Sequence, residues 1–267
     1  MLIIGERINT FRKSVRIAFE TKNEAFIRKE VIKQAEAGAH IIDINAGSDL
    51  SFEPDYMKWA VQIAQEVTDL PLCLDSPNQD TILAGFEVIK NKELTWANSI
   101  TLEKSRHDKI LPLVKEYQCP VIALCQAEGG LSQFAKNRVD AGKKIVDLVD
   151  SYGINLENLY LDTMIEPLSV RSDGGLLSME TLIGLKEALP EIKTIISLSG
   201  ISFGLPSRKL LHRTFMPLLM WAKLDSVFLD PLDKRLMDCI QASKALMAQD
   251  EFCMNYIKKH RAGKLGD

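Results

Sequence analysis

The sequence lacks the features that mark secreted or membrane-bound proteins. Its five cysteines are odd in number and have no Cys-x-x-Cys spacing, which argues against a disulfide framework and a structural zinc site. No stretch approaches the roughly 20 apolar residues of a membrane span, and the start, MLIIGERINT, lacks the regions of a signal peptide. We therefore expect a cytoplasmic protein with reduced thiols and no membrane contact.

Histidine and clustered positive charge are also scarce. The formal net charge is -3, with both signs mixed along the chain, and a nucleic-acid-binding protein would instead show a clustered basic face. None of the four histidines, His40, His107, His212 and His260, ends an apolar run. A catalytic triad and a histidine-bound catalytic metal are therefore not expected, and we predict no bound metal and no nucleic-acid partner.

What the sequence does contain is a series of short apolar runs. Consecutive apolar positions of this length are typical of strands buried on both faces, as in a parallel sheet. The eight runs are Leu2–Ile4, His40–Ile44, Leu70–Leu74, Leu94–Ala97, Pro120–Leu124, Leu159–Leu161, Thr194–Leu198 and Ser226–Leu229.

Helical patterns separate the runs. Thr21 and Glu24 form a capping-box pattern ahead of one stripe, and Gly38 is placed to end that helix. A stripe that contains Leu236 and Met247 marks the last predicted helix. Eight strand–helix alternations predict a single-domain (β/α)8 barrel over residues 1–267, with a doubly wound open sheet as the alternative.

Polar residues stand at or just after the end of every run. In a barrel these ends open on one face, where active sites lie. A single Asp or Asn there is more often a helix cap or turn former, but polar residues at all eight ends favour a site. They include Glu6-Arg7, Asp43, Asn45, Asp75-Ser76, Asn98-Ser99, Cys125-Gln126, Asp162-Thr163, Ser197, Ser199-Gly200 and Asp230.

These side chains suit a flat heterocycle. Carboxylates accept hydrogen bonds, and carboxamides both donate and accept. A ring of such groups matches a molecule with alternating N–H donors and acceptor atoms. A pterin has this pattern, with an amidine-like edge that can donate twice to one carboxylate.

Six motifs carry a family resemblance: LIIGERIN, IIDINAG, LPLCLDS, ANSI, LYLD and RTF. In this order the chain resembles the pterin-binding methyltransferases from Met1 to about Tyr256. These enzymes move a methyl group between a corrinoid protein and N5 of tetrahydrofolate. The resemblance implies a barrel that forms a homodimer, with tetrahydrofolate or 5-methyltetrahydrofolate as substrate and a corrinoid supplied by a partner protein.

The resemblance also assigns residues. It places Asp75 at the amino-pyrimidine edge of the pterin, with Asn98 and Asp162 completing the hydrogen bonds, and these three are the predicted catalytic residues. Asp43 and Asn45 would line or support the pocket floor. The other predicted folate-binding residues are Glu6, Gln126, Ser199, Gly200, Ser202, Arg208 and Asp230.

Two positions depart from the family pattern. Relatives that act on methyltetrahydrofolate usually have Asn at the position of Gly200, where it reaches N5, and Pro often occupies the position of Thr163. Glycine has no side-chain donor for N5. Transfer of methyl from the corrinoid protein to tetrahydrofolate demands less of such a donor, so this direction is favoured, and the reverse transfer is the alternative.

Three other functions remain open from the sequence. Dihydropteroate synthase shares the fold, but the basic residues Arg208, Lys209 and His212 stand in a different order from its Lys and Arg-x-His group. Gly200 and Gly204 could form a phosphate-binding turn. A folate-binding protein without activity is the third.

Overall fold

A computed structural model describes residues 1–47 and 52–266. Its eight strands pair in chain order, all in parallel, and the last pairs with the first, so the sheet is a closed barrel. The predicted barrel is confirmed, and the open-sheet alternative is wrong. The strands are β1 (Leu2–Asn9), β2 (Ile41–Asn45), β3 (Leu72–Asp75), β4 (Trp96–Ile100), β5 (Val121–Leu124), β6 (Leu159–Asp162), β7 (Lys193–Ser197) and β8 (Ser226–Leu229).

Helices surround this barrel. They are α1 (Lys13–Glu20), α2 (Glu24–Glu36), α3 (Glu53–Val67), α4 (Gln79–Val88), α5 (Ile110–Tyr117), α6 (Ala135–Ser151), α7 (Gly174–Ala188), α8 (Arg208–Trp221), α9 (Lys234–Leu246) and α10 (Met254–Arg261). The stripe that ends at Met247 is therefore not the last helix, because the exposed basic tail forms α10. Within residues 1–47 and 52–266, no helix has the length and apolar character to cross a membrane.

Two local predictions were wrong. Strand β1 does not end at Glu6 and Arg7 but continues to Asn9, with a register irregularity between Gly5 and Ile8. The cap of α2 is not Thr21, whose hydroxyl donates to the Ile17 carbonyl, but Asn23, whose side chain accepts from the Phe26 N–H at 3.1 Å. The first error arises because Glu6 and Arg7 interrupt the apolar run while the backbone pairing continues, and the second because Thr21 and Asn23, both cap-type residues, stand close together.

One layer of the barrel interior contains one apolar side chain from each strand. This inner apolar ring consists of Ile4, Ile41, Cys73, Trp96, Ile122, Tyr160, Ile195 and Phe228, and all eight are buried. Strand side chains alternate between faces, so the residue two positions further along each strand also points inward. The apolar ring therefore forms a floor, and the next inward positions lie above it, toward the carboxyl ends of the strands.

Close helix packing fixes the strand that carries Asp75. A Cβ atom on Gly85 of α4 would lie 2.6 Å from Leu74 Cδ1 and 3.1 Å from Met57 Cγ. Only glycine allows α4 to approach β3 and α3 this closely. Glu53, at the start of α3, accepts from the Ser76 hydroxyl at 2.6 Å and holds the end of β3 in place.

Candidate active site

Seven of the eight positions that follow the inner apolar ring are polar. We call this set the polar ring; it consists of Glu6, Asp43, Asp75, Asn98, Leu124, Asp162, Ser197 and Asp230. All of its members except Asp230 line a cavity of about 270 Å³, which we call the inner cavity. Alternation along eight strands thus explains why these side chains meet at one place.

Asp75 is held by a directed hydrogen bond. The Asn45 amide donates from Nδ2 to Asp75 Oδ2 at 2.7 Å, and Asn45 Oδ1 accepts from the Gly47 N–H at 3.1 Å. The second contact fixes which way the amide points, so one carboxylate oxygen is engaged by the protein. Burial raises the pKa of Asp75 to about 6, although the bond from Asn45 opposes that rise.

Asp162 is oriented by the turn that follows β6. Its Oδ1 accepts from the Met164 N–H at 2.7 Å, and Met164 has the positive φ of 61° that such a turn requires. Arg138, which is fully buried, donates to the carbonyls of Met164 and Ser132 and pairs with Glu166. Burial raises the pKa of Asp162 to about 6.

Glu6 and Asp43 complete a group of four carboxylates. Glu6 Oε2 accepts from the Ser199 hydroxyl at 3.0 Å, and burial raises the pKa of Glu6 to about 7. Asp43 Oδ1 is buried with no hydrogen-bond partner, and burial together with the nearby Asp75 raises the pKa of Asp43 well above its usual value. None of the four forms an ion pair with a residue in the described ranges.

The group of four buried carboxylates destabilises the ligand-free protein and suits a ligand with several hydrogen-bond donors. Buried carboxylates without an ion pair accept hydrogen bonds strongly from any N–H group brought into the cavity. Among the described residues, no lysine or arginine lines the inner cavity. The inner cavity is therefore built for a ligand that offers N–H donors and not for an anion.

The variant Asp162→Asn should be more stable than the wild type at neutral pH. The folded-state pKa of Asp162 lies above its unfolded value, so ionisation between about pH 4 and pH 6 destabilises the wild type. We expect the gain in unfolding free energy to be near zero at pH 4 and about 1–2 kcal/mol at pH 7. Urea titration across this range measures it, with Asp147→Asn on the exposed face of α6 as control. A loss of stability at pH 7 would contradict the account.

A second, wider cavity of about 530 Å³ opens beside the first. We call it the outer cavity; it shares Glu6 and Asn9 with the inner cavity. Its wall is formed by residues after β1, β7 and β8. They are Phe11, Arg12, Ser199, Phe203, Arg208, Lys209, His212, Asp230, Asp233 and Leu236.

The structure brings most of the predicted site residues together. Glu6, Asp43, Asp75, Asn98, Asp162 and Gly200 line the inner cavity, and Ser199, Arg208 and Asp230 line the outer one. Asn45 supports Asp75 from outside the lining. Gln126 and Ser202 line neither cavity, since β5 ends at Leu124 and buried Ser202 instead bonds to Arg208 Nε and His212 Nε2. Their roles in folate binding stay predictions.

The sequence reasoning missed several lining residues. Asn9, Leu124, Met164, Ile165 and Phe228 also border the inner cavity, as do Ser99 and Ser197, which were named among the polar strand ends but not among the folate-binding residues. Strict alternation from Ile122 and Ile195 would have placed Leu124 and Ser197 there. No sequence signal marks Met164 and Ile165, because their positions depend on the turn that Arg138 and Asp162 stabilise.

Gly200 is crowded by a neighbouring side chain. A Cβ atom at this position would lie 3.2 Å from Ile165 Cγ2 and 3.5 Å from Ile165 Cβ. Gly200 is not among the glycines with positive φ, so its backbone does not require glycine. The branched side chain of Ile165 occupies the space that a larger residue would need.

Comparison with known proteins places this site in a family. The family model described as "Pterin binding enzyme" matches residues 5–222, which include every predicted site residue except Asp230. The chain belongs to the pterin-binding enzymes. The prediction of a pterin-binding methyltransferase is confirmed as to family and enzyme class.

This pterin-binding enzyme is similar to proteins of two kinds. The chain is 35% identical over 268 residues to "Methylcorrinoid:tetrahydrofolate methyltransferase" of Eubacterium limosum, covering 100% of this chain and 98% of that protein. It is 29% identical over 246 residues to "Methionine synthase" of Mycobacterium tuberculosis, covering 85% of this chain and 20% of that protein. The first similarity extends over both chains, and the second involves one part of a larger protein.

A solved structure supports the fold alone. Dihydropteroate synthase of Yersinia pestis superposes with a TM-score of 0.65 at 14% identity, covering 92% of this chain and 93% of that one. In the described part of the chain, no group of three or more His, Cys, Asp or Glu side chains is arranged to hold a metal ion. That the protein binds no metal stays a prediction.

Proposed function

We propose that this enzyme transfers a methyl group from a methylated corrinoid protein to N5 of tetrahydrofolate, giving 5-methyltetrahydrofolate. The observation that carries the proposal is the group of four carboxylates at the mouth of the barrel, without ion pairs among the described residues. The full-length similarity to a protein named for this reaction supports it. The whole chain, residues 1–267, would form one pterin-binding domain.

In the proposed complex the pterin ring lies in the inner cavity. Asp75, with one oxygen held by Asn45, accepts from the amino group and the adjacent ring N–H. Asn98 lies on the strand next to that of Asp75, Asp162 lies two strands further round the polar ring, and both bond to the other edges. Charge-assisted bonds of this kind fix the plane and register of the ring, so N5 has one defined position.

The transfer itself needs no nucleophile from the protein. The lone pair of N5 forms the new bond to the methyl carbon, the cobalt–carbon bond breaks, and its electron pair stays with the cobalt of the partner protein. N5 then carries a positive charge and must lose its proton. The enzyme therefore has to position N5 and to provide an acceptor for that proton.

Glu6 is the acceptor that the geometry favours. It is the one member of the polar ring that borders both cavities, where the pterin and an incoming corrinoid would meet. A pKa of about 7 is matched to proton transfer near neutral pH. The Ser199 hydroxyl, 3.0 Å from Glu6 Oε2, fixes the orientation of its carboxyl group.

Gly200 supports the direction of transfer. An amide donor beside N5 would favour the reverse reaction, in which the amine must leave and needs a hydrogen bond. The double variant Gly200→Asn/Ile165→Ala makes room for such a donor. Relative to Ile165→Ala, we expect kcat for demethylation of methyltetrahydrofolate to rise about tenfold, the value of one added hydrogen bond. The kcat for methylation of tetrahydrofolate should stay within about twofold while its KM for tetrahydrofolate falls about tenfold, because the variant cannot change the equilibrium constant. An equal change of kcat in both directions would contradict this interpretation.

Dihydropteroate synthase activity is less consistent with the site. That reaction releases pyrophosphate and needs cations around it, whereas four carboxylates border the inner cavity and the basic residues of the outer cavity do not follow the Lys and Arg-x-His order of that enzyme. Arg208 and His212 both bond to buried Ser202. Incubation with dihydropterin pyrophosphate and p-aminobenzoate tests this alternative directly, and product formation would favour it. Turnover with a methylated corrinoid protein separates an enzyme from a folate-binding protein without activity.

The oligomeric state and the cellular compartment of the protein are proposed from the family resemblance alone. We infer a cytoplasmic homodimer from the resemblance to the family. Light scattering of the purified protein at micromolar concentration tests the dimer, and a mass near 60 kDa, twice the 29.9 kDa of one chain, is expected.

A further inference from the structure

A cavity of about 500 Å³ lies at the end of the barrel opposite the polar ring, and we call it the lower cavity. Strands β1, β7 and β8 each begin two residues before their member of the inner apolar ring, so their first residues, Leu2, Lys193 and Ser226, point inward. All three line the lower cavity, and Tyr160 of the inner apolar ring closes its inner end. Because the serine side chain is small, this layer of the barrel is left partly empty.

Lys193 brings a positive charge into the lower cavity. Its Nζ donates to the Glu157 carbonyl at 2.6 Å and lies 5.2 Å from the centroid of the Tyr160 ring. Lys223, an exposed residue, belongs to the same lining. Among residues 1–47 and 52–266, neither lysine forms an ion pair. A cation that faces the interior of a barrel without a counter-ion is favourable for the binding of an anion.

The carboxylate of this lining, Asp225, is already engaged. Its Oδ2 accepts from Lys186 Nζ, from the Thr194 N–H at 2.7 Å and from the Thr194 hydroxyl at 2.9 Å. The ion pair with Lys186 neutralises Asp225. The charge that remains in the lower cavity is therefore the positive charge of Lys193 and Lys223.

Ser226 adds an unused hydrogen-bonding group to the same lining. Its hydroxyl is buried and has no hydrogen-bond partner in the part of the chain that the structure describes. A buried hydroxyl without a partner is unfavourable, and an oxygen atom of a ligand could accept from it. Beside these polar groups, the side chains of Leu2, Met220 and Leu224 give the cavity an apolar wall.

We infer that the lower cavity binds a small monocarboxylate with an apolar body. The carboxylate pairs with Lys193 and accepts from the Ser226 hydroxyl, and the apolar body packs on the apolar wall. A monoanion fits better than a phosphate dianion, because a second negative charge would lie close to Asp225. The inner apolar ring separates this site from the pterin site, since Tyr160 lines the lower cavity and Phe228 lines the inner one. The site does not depend on the proposed function.

An NMR titration with benzoate, and with benzamide as the neutral probe of equal shape, tests the inference. We expect wild type to bind benzoate about tenfold more tightly than benzamide, the value of one charge-assisted hydrogen bond. Lys193→Met removes the charge and keeps an unbranched side chain, so the two probes should then bind within about twofold of each other. Lys92→Met is the matched control and should keep the wild-type preference. Lys92 also precedes a strand and lies 4.7 Å from an aromatic ring, that of Tyr117, but it is outside this lining.

A second variant tests the hydroxyl without disturbing other contacts. Ser226→Ala should weaken benzoate binding about threefold, the value of one neutral hydrogen bond. Its thermal midpoint should not fall below that of wild type, because the hydroxyl has no partner among the described residues. Both Lys193→Met and Ser226→Ala should bind tetrahydrofolate with wild-type affinity.

Three results would overturn the inference. Folded wild type that binds benzoate no better than benzamide, or binds neither, lacks the site. A preference for benzoate that survives in Lys193→Met places the probe elsewhere on the protein. Loss of tetrahydrofolate affinity in Ser226→Ala would show that the lower cavity is not separate from the pterin site.

Discussion

The variant Asp75→Ala should bind tetrahydrofolate at least about 100-fold more weakly than wild type. A carboxylate that accepts two N–H donors of a buried ring contributes two charge-assisted hydrogen bonds, and each is worth about 1.5–3 kcal/mol. Removing it also leaves the Asn45 amide without its 2.7 Å partner. Isothermal titration calorimetry with tetrahydrofolate and methyltetrahydrofolate measures the loss, which we expect for both ligands.

The matched control for this variant is Asp69→Ala. Asp69 is exposed and precedes β3, so it lies near the same strand but at the opposite end of the barrel. We expect its folate affinity to equal that of wild type. A thermal melt of Asp75→Ala checks that the variant is folded at the assay temperature, because the gain from removing a carboxylate with a raised pKa is opposed by the loss of the Asn45 hydrogen bond. Affinity within threefold of wild type would show that Asp75 does not contact the pterin.

The second large effect is expected for Glu6→Gln. Glutamine keeps the size of the side chain and can still accept from the Ser199 hydroxyl, but it cannot take a proton. General-base catalysis contributes about 10²–10⁴-fold to rate, so kcat for methylation of tetrahydrofolate should fall by at least about 100-fold. The KM for folate should change little. Glu20→Gln, at the exposed end of α1, serves as control.

The dependence of kcat on pH gives an independent readout for Glu6. The ionised form accepts the proton, so wild-type kcat for methylation should rise as pH increases through about 7 and level off above it. The reverse reaction needs the protonated form and should show the opposite trend. Glu6→Gln should lack this step in both directions. A variant that retains the wild-type pH profile would assign the proton to another group.

Much of the fold followed from the sequence because the barrel repeats one signal. Eight apolar runs coincide with eight strands, although most bounds differ by one or two residues. Leu94, for example, lies in a 3₁₀ turn ahead of β4. β1 was the main exception, because Glu6 and Arg7 interrupt its apolar run while the backbone pairing continues to Asn9.

The site residues that lie on strands were predictable, because side chains alternate between the two faces of a strand. Asp43, Asp75, Asn98 and Asp162 each lie two residues beyond a member of the inner apolar ring, so their shared cavity follows from the sequence. Contacts between distant loops did not follow from it. The bond of Ser202 to His212, and the contact of Ile165 with Gly200, depend on how the loops after β6 and β7 pack.

A single-turnover measurement tests the central claim most directly. The purified enzyme and tetrahydrofolate would be mixed rapidly with a methylated corrinoid protein, and cobalt absorbance would be followed while 5-methyltetrahydrofolate is quantified. We predict loss of the methyl-Co(III) spectrum, appearance of Co(I) and one methyltetrahydrofolate per cobalt, all dependent on Glu6 and Asp75. An unchanged cobalt spectrum, although tetrahydrofolate binds and the corrinoid protein is methylated, would contradict the account.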